Sequence, residues 1–157
     1  MELELHPVMS NPSTFGTALG DSAPLPLYSP LSSPPPAAAK AAYGRQQAQA
    51  DRLTDIGQVY VKTDDYDKAA DFTRRALAKH RKLGNALGEA SALNNLGLID
   101  TYRGRYTEAM GSFSRALELE QGARAWSAAG ATLGNMGVAY QGLEDYPKAI
   151  DCFTRAL

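Results

Sequence analysis

The sequence predicts an all-α protein, a solenoid of three antiparallel helical hairpins preceded by a disordered Pro/Ser/Ala-rich N-terminal tail. Three observations lead there. Within residues 57–77 six positions recur in triplets forty residues apart: Gly57, Gly97 and Gly137; Tyr66, Tyr106 and Tyr146; Ala69, Ala109 and Ala149; Arg75, Arg115 and Arg155; Ala76, Ala116 and Ala156; Leu77, Leu117 and Leu157. With residue frequencies mostly about 5 to 10 per cent, a three-way match in one column arises by chance less than about 1 per cent of the time, so six in one short window mark an internal repeat. Within each unit the apolar residues return every three or four positions, the period of a helix. Eight of the nine prolines, and only five charged residues (Glu2, Glu4, Asp21, Lys40 and Arg45), fall in residues 1–46. About 110 residues are left to build a core.

The tail, residues 1–46, has Pro7, Pro12, Pro24, Pro26, Pro30 and the run Pro34, Pro35, Pro36 scattered among Ser, Ala and Gly, with no apolar period to support a packed element. Ser29-Pro30 and Ser33-Pro34 have the form of proline-directed phosphorylation sites, a featureless linker being the plainer reading; no pair of prolines has P-x-x-P spacing. Ala37 to Ala50 is rich in Ala and Gln and extends the first helix from a start that the sequence leaves open.

The array occupies residues 47–157, in repeats of about 50–89, 90–129 and 130–157. In the first unit Leu53, Ile56, Gly57, Val59 and Tyr60 form one stripe, Thr63-Asp64-Asp65 supplies a turn and an N-cap, and Tyr66, Ala69, Ala70, Thr73, Ala76 and Leu77 form the second stripe. The second unit repeats this with Leu93, Leu96, Gly97 and Ile99, a turn at Arg103-Gly104-Arg105, then Tyr106, Ala109, Phe113, Ala116 and Leu117. The third has Leu133, Met136, Gly137 and Tyr140, a turn from Gly142 to Asp145, then Tyr146, Ala149, Phe153, Ala156 and Leu157; Pro147 falls in the first turn of its helix, where its missing N–H is harmless. The small columns, Gly on the first helix and Ala on the second, let the two helices approach closely, and the leading tyrosine covers the turn with its hydroxyl in water. The Ala-Leu pair at the end of each second helix is left for the next unit.

Several functions are disfavoured. Removing the five tail charges from 17 acidic and 16 basic residues leaves 14 of each, so the array has no basic excess for nucleic acid. Cys152 is the only cysteine, which rules out an internal disulfide, and no signal pattern or long apolar run points to secretion or a membrane; a cytoplasmic protein is expected. His6 lies in the tail and His80 between units, with no acid, base and nucleophile set, so no enzyme activity, metal or cofactor is expected. Gly16-x-x-x-Gly20 lacks the lysine and spacing of a phosphate loop. Cys152 reads as a buried, inert thiol and Trp126 as interrepeat packing.

The pattern L-x-x-[LIM]-G, a turn, then Y-x-x-A-x-x-x-[FT]-x-x-A-L over residues 50–157 resembles the tetratricopeptide repeat. The resemblance implies a right-handed superhelix of hairpins. Two positions depart from it: Asp100 stands where the second unit's first helix has an aromatic, and Thr73 where the first unit's second helix has one, both loosening local packing. The period of forty exceeds the family's usual one. The extra residues, at Ala78 to Gly88 and Glu118 to Gly130, fall between units and resemble the connections of the longer-helix subgroup seen in Pins-type adaptors, kinesin light chains and bacterial regulators.

What the resemblance implies for function is a protein-interaction scaffold or adaptor that takes a peptide of a partner protein on a concave face lined by the first helices. The alternative is the sensor arm of a larger signalling protein with an NTPase or protease domain. The face opposite the packing stripe carries Asp51, Thr54, Asp55, Gln58 and Lys62 in the first unit, Ser91, Asn94, Asn95, Leu98, Thr101 and Tyr102 in the second, and Gly134, Asn135, Val138 and Gln141 in the third. Asn95 and Asn135 can bridge a peptide backbone with donor and acceptor together, the alternative being solvated or neighbour-bonded amides. Leu98, Tyr102 and Val138 offer apolar anchors, or else pack between helices. A clamp for a C-terminal carboxylate is disfavoured, because Asp55, Asn95 and Asn135 stand at its offsets with only Lys62 nearby. Arg75, Arg115 and Arg155 read as surface groups at helix ends rather than an anion ladder. Leu157 stops at the last apolar position of a second helix, so the face buried in earlier units is uncapped: either the natural chain continues, or a second molecule covers it by self-association.

Overall fold

The computed structural model describes residues 36–157 as six helices: α1 (Ala37–Lys62), α2 (Tyr66–Leu83), α3 (Ala86–Tyr102), α4 (Tyr106–Gly122), α5 (Trp126–Gly142) and α6 (Tyr146–Arg155). Of the tail expected to be disordered, residues 1–35, with both Ser-Pro dipeptides, lie outside the described residues, and residues 37–46 are helical instead.

Each of the first five helices stops for a local reason, and the reasons are evenly spaced. Asp64, Gly84, Gly104, Arg124 and Glu144, twenty residues apart, all adopt the left-handed conformation with φ between 56° and 72°. The residue after each donates its N–H to a carbonyl five positions back, Asp65 to Tyr60, Asn85 to His80, Arg105 to Asp100, Ala125 to Glu120 and Asp145 to Tyr140, which closes off the helix end. Asp65, Asn85 and Asp145 then cap the following helix, accepting from the N–H of Lys68, Gly88 and Lys148. The forty-residue period is thus two helix-plus-turn segments of equal length. The extra residues do not lie between units as expected: α2 runs on to Leu83 and α4 to Gly122, leaving connections of two or three residues. Nothing at Ala78–Leu83 or Glu118–Gly122 breaks a helix, so the backbone continues until a left-handed residue ends it.

Helix α1 begins at Ala37, well before the expected boundary at 47. Its first turns are Ala-rich with Pro36 at the N-cap, a composition of high intrinsic helicity. They lean on the lengthened end of α2, where Lys79 Nζ donates to Gln49 Oε1 at 3.2 Å and the Tyr43 hydroxyl lies 3.4 Å from the Leu83 carbonyl. In the rest of α1 the buried positions are Ala50, Thr54 and Gly57, while Ile56 and Val59 are exposed, correcting the expected stripe.

Hairpins form between α1 and α2, α3 and α4, and α5 and α6, and consecutive hairpins join through α2 on α3 and α4 on α5. The glycine column serves side chains more than backbones. An atom added at Gly97 would sit 2.5 Å from the Phe113 ring, at Gly137 2.6 Å from Phe153, and at Gly57 2.5 Å from Thr73 Oγ1. Thr73, in place of the aromatic, is fully buried and donates to the Ala69 carbonyl at 2.7 Å, so its site is filled. Asp100 likewise does not leave a gap: it pairs with Arg105 at the head of α4. The leading tyrosines reach forward into the next unit, with Tyr66 stacking on Tyr102 at 5.8 Å and Tyr106 lying against Gly142.

The last unit shows what a neighbour contributes. Phe113 is 0% exposed and its counterpart Phe153 is 36% exposed, with Tyr146, Ile150 and Leu157 open beside it. Trp126, expected to pack between repeats, is 66% exposed at the start of α5, beside a cleft that Arg155, Ala156 and Leu157 also line.

Candidate peptide-binding groove

Helix α3 touches both α1 and α5, whereas the second helices α2, α4 and α6 make no mutual contact. The first helices therefore crowd together on the inner side of the stack and the second helices splay on the outer side. Among the expected groove positions Asp55 and Gln58 of α1 are exposed, as are Tyr102 of α3 and Val138 and Gln141 of α5, Val138 at 48%. Leu98 and Thr101 are half-buried: Leu98 packs against the cluster around Phe113, Leu133 and Met136, and the Thr101 hydroxyl donates to the Gly97 carbonyl at 2.8 Å. Thr54 is buried and bonded to the Ala50 carbonyl at 3.2 Å, so it belongs to the core and not to the open face.

The asparagines sort themselves differently from the column pattern. Asn135 Nδ2 donates to Asn94 Oδ1 at 3.0 Å, a diagonal bond from α5 to α3. Asn95, the expected partner of Asn135 in a repeated clamp, is only 7% exposed and its Nδ2 has no hydrogen-bond partner. Adjacent residues on a helix point about 100° apart, so the rotation of α3 against α5 decides which of two neighbouring asparagines meets the next unit.

Two models described as tetratricopeptide repeat match the chain, over residues 53–87 and 88–157. The chain belongs to the tetratricopeptide repeat family. Among solved structures it is similar to the TPR domain of Arabidopsis FLU, with a TM-score of 0.66 and 21% identity over 71% of this chain and 93% of that one. It is similar to BtubC from P. vanneervenii, with a TM-score of 0.62 and 25% identity over 68% of this chain and 44% of that one. A third likeness is to the second TPR of Spaghetti (RPAP3) bound to an HSP90 peptide, with a TM-score of 0.59 and 22% identity over 74% of this chain and 95% of that one. These establish the right-handed solenoid fold. A search of the curated proteins gave no match.

On this tetratricopeptide scaffold the repeated arginines are surface groups, each paired within its own helix: Arg75 with Asp71, Arg115 with Glu118 and Arg155 with Asp151. Cys152 is buried, and burial with the nearby Asp151 pushes its thiol pKa up, away from the reactive thiolate. Among the described residues no group of three His, Cys, Asp or Glu side chains is placed to hold a metal, and no helix is long and apolar enough to cross a membrane.

Sequence reasoning missed a second repeated position, His80 and Glu120, forty apart near the ends of α2 and α4. His80, expected between units, is helical and buried; its ring fills the space left by Gly88, with Nδ1 3.4 Å from Asn85 Nδ2 and Nε2 3.8 Å from Asp51 Oδ1. Glu120 is 3% exposed, accepts the Thr132 hydroxyl on Oε1 at 3.1 Å, and has no partner on Oε2. Desolvation pushes its pKa above the usual carboxylate value, and the Thr132 bond offsets this in part. The available signal was two polar residues recurring at the repeat period where a helix end meets its successor.

Proposed function

We propose that this array is a cytoplasmic protein-interaction scaffold whose ligand is a peptide lying across the inner faces of α1, α3 and α5. The observation that supports it most is the open inner face: exposed Val138 and Tyr102 and half-buried Leu98, with the polar Asp55, Gln58, Asn94, Asn135 and Gln141 around them. Apolar side chains supply area, and the amides meet the N–H and C=O groups of an extended strand irrespective of its sequence. Spaghetti (RPAP3), a structural neighbour, binds an HSP90 peptide, SRMEEVD. The same acidic ligand does not suit this chain. Asp51, Asp55 and Glu120 border its inner clefts, and Lys62 is the one basic residue among the expected groove positions.

The test is selection from a randomised peptide library displayed on phage, using the full chain and three variants, Gln58→Ala, Tyr102→Ala and Val138→Glu. All three positions are exposed, so circular dichroism should stay unchanged while recovery of selected peptides falls about tenfold or more for Val138→Glu. Equal recovery by all variants sinks the groove reading.

The exposed apolar side chains of α6, Tyr146, Ile150 and Phe153, favour a second reading, in which the array pairs with a second copy of itself. Sedimentation of the full chain across a concentration series tests it, because self-pairing raises the mass with concentration.

A further inference from the structure

Resting on the scaffold reading, and narrowing it, is a subsite where the end of α4 meets α3 and α5. A cleft of about 260 Å³ opens there between the first helices. Leu87 of α3 and Ala128 and Ala131 of α5 form apolar walls, while Asn94, Glu120 and Thr132 bring polar atoms to the cleft.

The hydrogen-bond inventory at this place does not balance. Three acceptors converge: both carboxylate oxygens of Glu120 and Asn94 Oδ1. Thr132 has one hydroxyl hydrogen to share, its Oγ1 lying 3.1 Å from Glu120 Oε1 and 3.4 Å from Asn94 Oδ1, and Asn135 Nδ2 serves Asn94. Oε2 is left over in a side chain with almost no access to water. Protonation on Oε1 would let Glu120 donate to the Thr132 hydroxyl, which then turns toward Asn94 Oδ1, but Oε2 would still have no donor. A buried carboxylate oxygen without a donor is rare in folded proteins.

We infer that this cleft is a specificity pocket for a lysine side chain of the bound peptide. The small Ala128 and Ala131 leave room for a tetramethylene stem beside Leu87, and a small turn of the Glu120 carboxylate toward the cleft lets the ammonium supply the donor and the countercharge that Oε2 lacks. A guanidinium suits it less, because Oε2 alone lacks a donor and a bidentate fork would have to share Oε1 with Thr132. The equivalent junction between α1 and α3 also opens a cleft, but His80, its ring seated on Gly88, stands there in place of the acid, so among the described residues a buried carboxylate at this position occurs once and sets the register of the ligand.

The experiment is a titration of the isotope-labelled full chain, followed by amide chemical shifts, with N-acetyl-lysine methylamide and with the isosteric N-acetyl-norleucine methylamide. The lysine probe should shift Ser91, Asn94, Glu120 and Thr132 saturably, and the norleucine probe should bind about tenfold more weakly or less. Glu120→Gln should weaken the lysine probe by a similar factor. So should Ala128→Leu, which narrows the cleft from an exposed position and leaves Glu120 in place; the unchanged spectrum elsewhere reports the fold. Equal response to both probes, saturable shifts only at other places, or indifference to both variants overturns the pocket. Library peptides that depend on Val138 but show no lysine preference would likewise sink the pocket and leave the groove standing. A lysine-specific response with no selected peptide would uphold the pocket and count against the groove.

Discussion

Replacing Gly97 by Ala tests the stacking of side chain against backbone on which the hairpins depend. The added methyl carbon would lie 2.5 Å from Phe113 Cε1 and 2.6 Å from Cδ1. Phe113 is fully buried, in a cluster with Ala109, Leu133, Met136, Ala139 and Cys152, so its ring has nowhere to go. Overpacking of this kind costs about 1–3 kcal/mol, and the better helix propensity of Ala returns about 1 kcal/mol. The net expectation is a loss of about 1 kcal/mol, or about 4 °C in Tm for a domain of this size. The same substitution elsewhere should change sign. Nothing lies within 4 Å of the position a methyl would take at Gly111, so Gly111→Ala keeps the propensity gain of about 0.5–1 kcal/mol. Gly137→Ala meets Phe153 at 2.6 Å, but that ring is partly exposed and can swing outward, so the change should be near zero. Urea denaturation followed by circular dichroism gives the order, Gly111→Ala most stable and Gly97→Ala least. If Gly97→Ala proved as stable as Gly111→Ala, α3 and α4 would not meet where the hairpin requires, and the reasoning would fall.

Three further outcomes are expected. Glu144→Gly relieves a non-glycine residue at φ 58° and should raise stability by about 0.5–1 kcal/mol, read as an increase in the urea midpoint; a decrease would mean that the side chain makes a contact worth more than the strain. Asn85→Ala removes the cap on Gly88 N–H and should cost about 1 kcal/mol by the same assay, an unchanged midpoint counting against the cap. The pH dependence has two opposite parts. Glu120 has a raised folded-state pKa, so the folded protein takes up its proton first and this part adds stability as pH falls from that value toward the ordinary carboxylate range. Asp65 and Asp145 are lowered by their bonds to Lys68 and Lys148, so their contribution is present above the ordinary value and lost as pH falls through the lowered one. The wild-type stability minus that of Glu120→Gln should therefore rise on mild acidification and then level off; parallel curves across that range would remove the assignment of Glu120.

Much of the fold was legible because a repeat states its own geometry. A residue recurring every forty positions occupies the equivalent place in each hairpin, so Gly97, Ala109 and Phe113 could be assigned to the core without knowing any contact. Helix ends were less legible. Asp64, Arg124 and Glu144 take the left-handed conformation that Gly84 and Gly104 advertise, and nothing about an Arg or a Glu announces it. The early start of α1 was hidden for a related reason: Ala37 to Gln49 is mostly exposed, so propensity and a few contacts with α2 hold it, and neither leaves an apolar period to read.

From the sequence alone came the helical hairpins, their number, their family and the set of first-helix faces from which a groove is built, since periodicity records which residues must share a side. Tertiary structure alone decided how those faces are rotated against one another. That rotation turned Asn94 and not Asn95 toward Asn135, withdrew Thr54 into the core, left Trp126 in the open, and brought Glu120 to Thr132 with one oxygen unmatched. A helix presents a new direction every 100°, so a small turn of α5 against α3 changes which neighbours meet, and no pattern within one helix contains that angle.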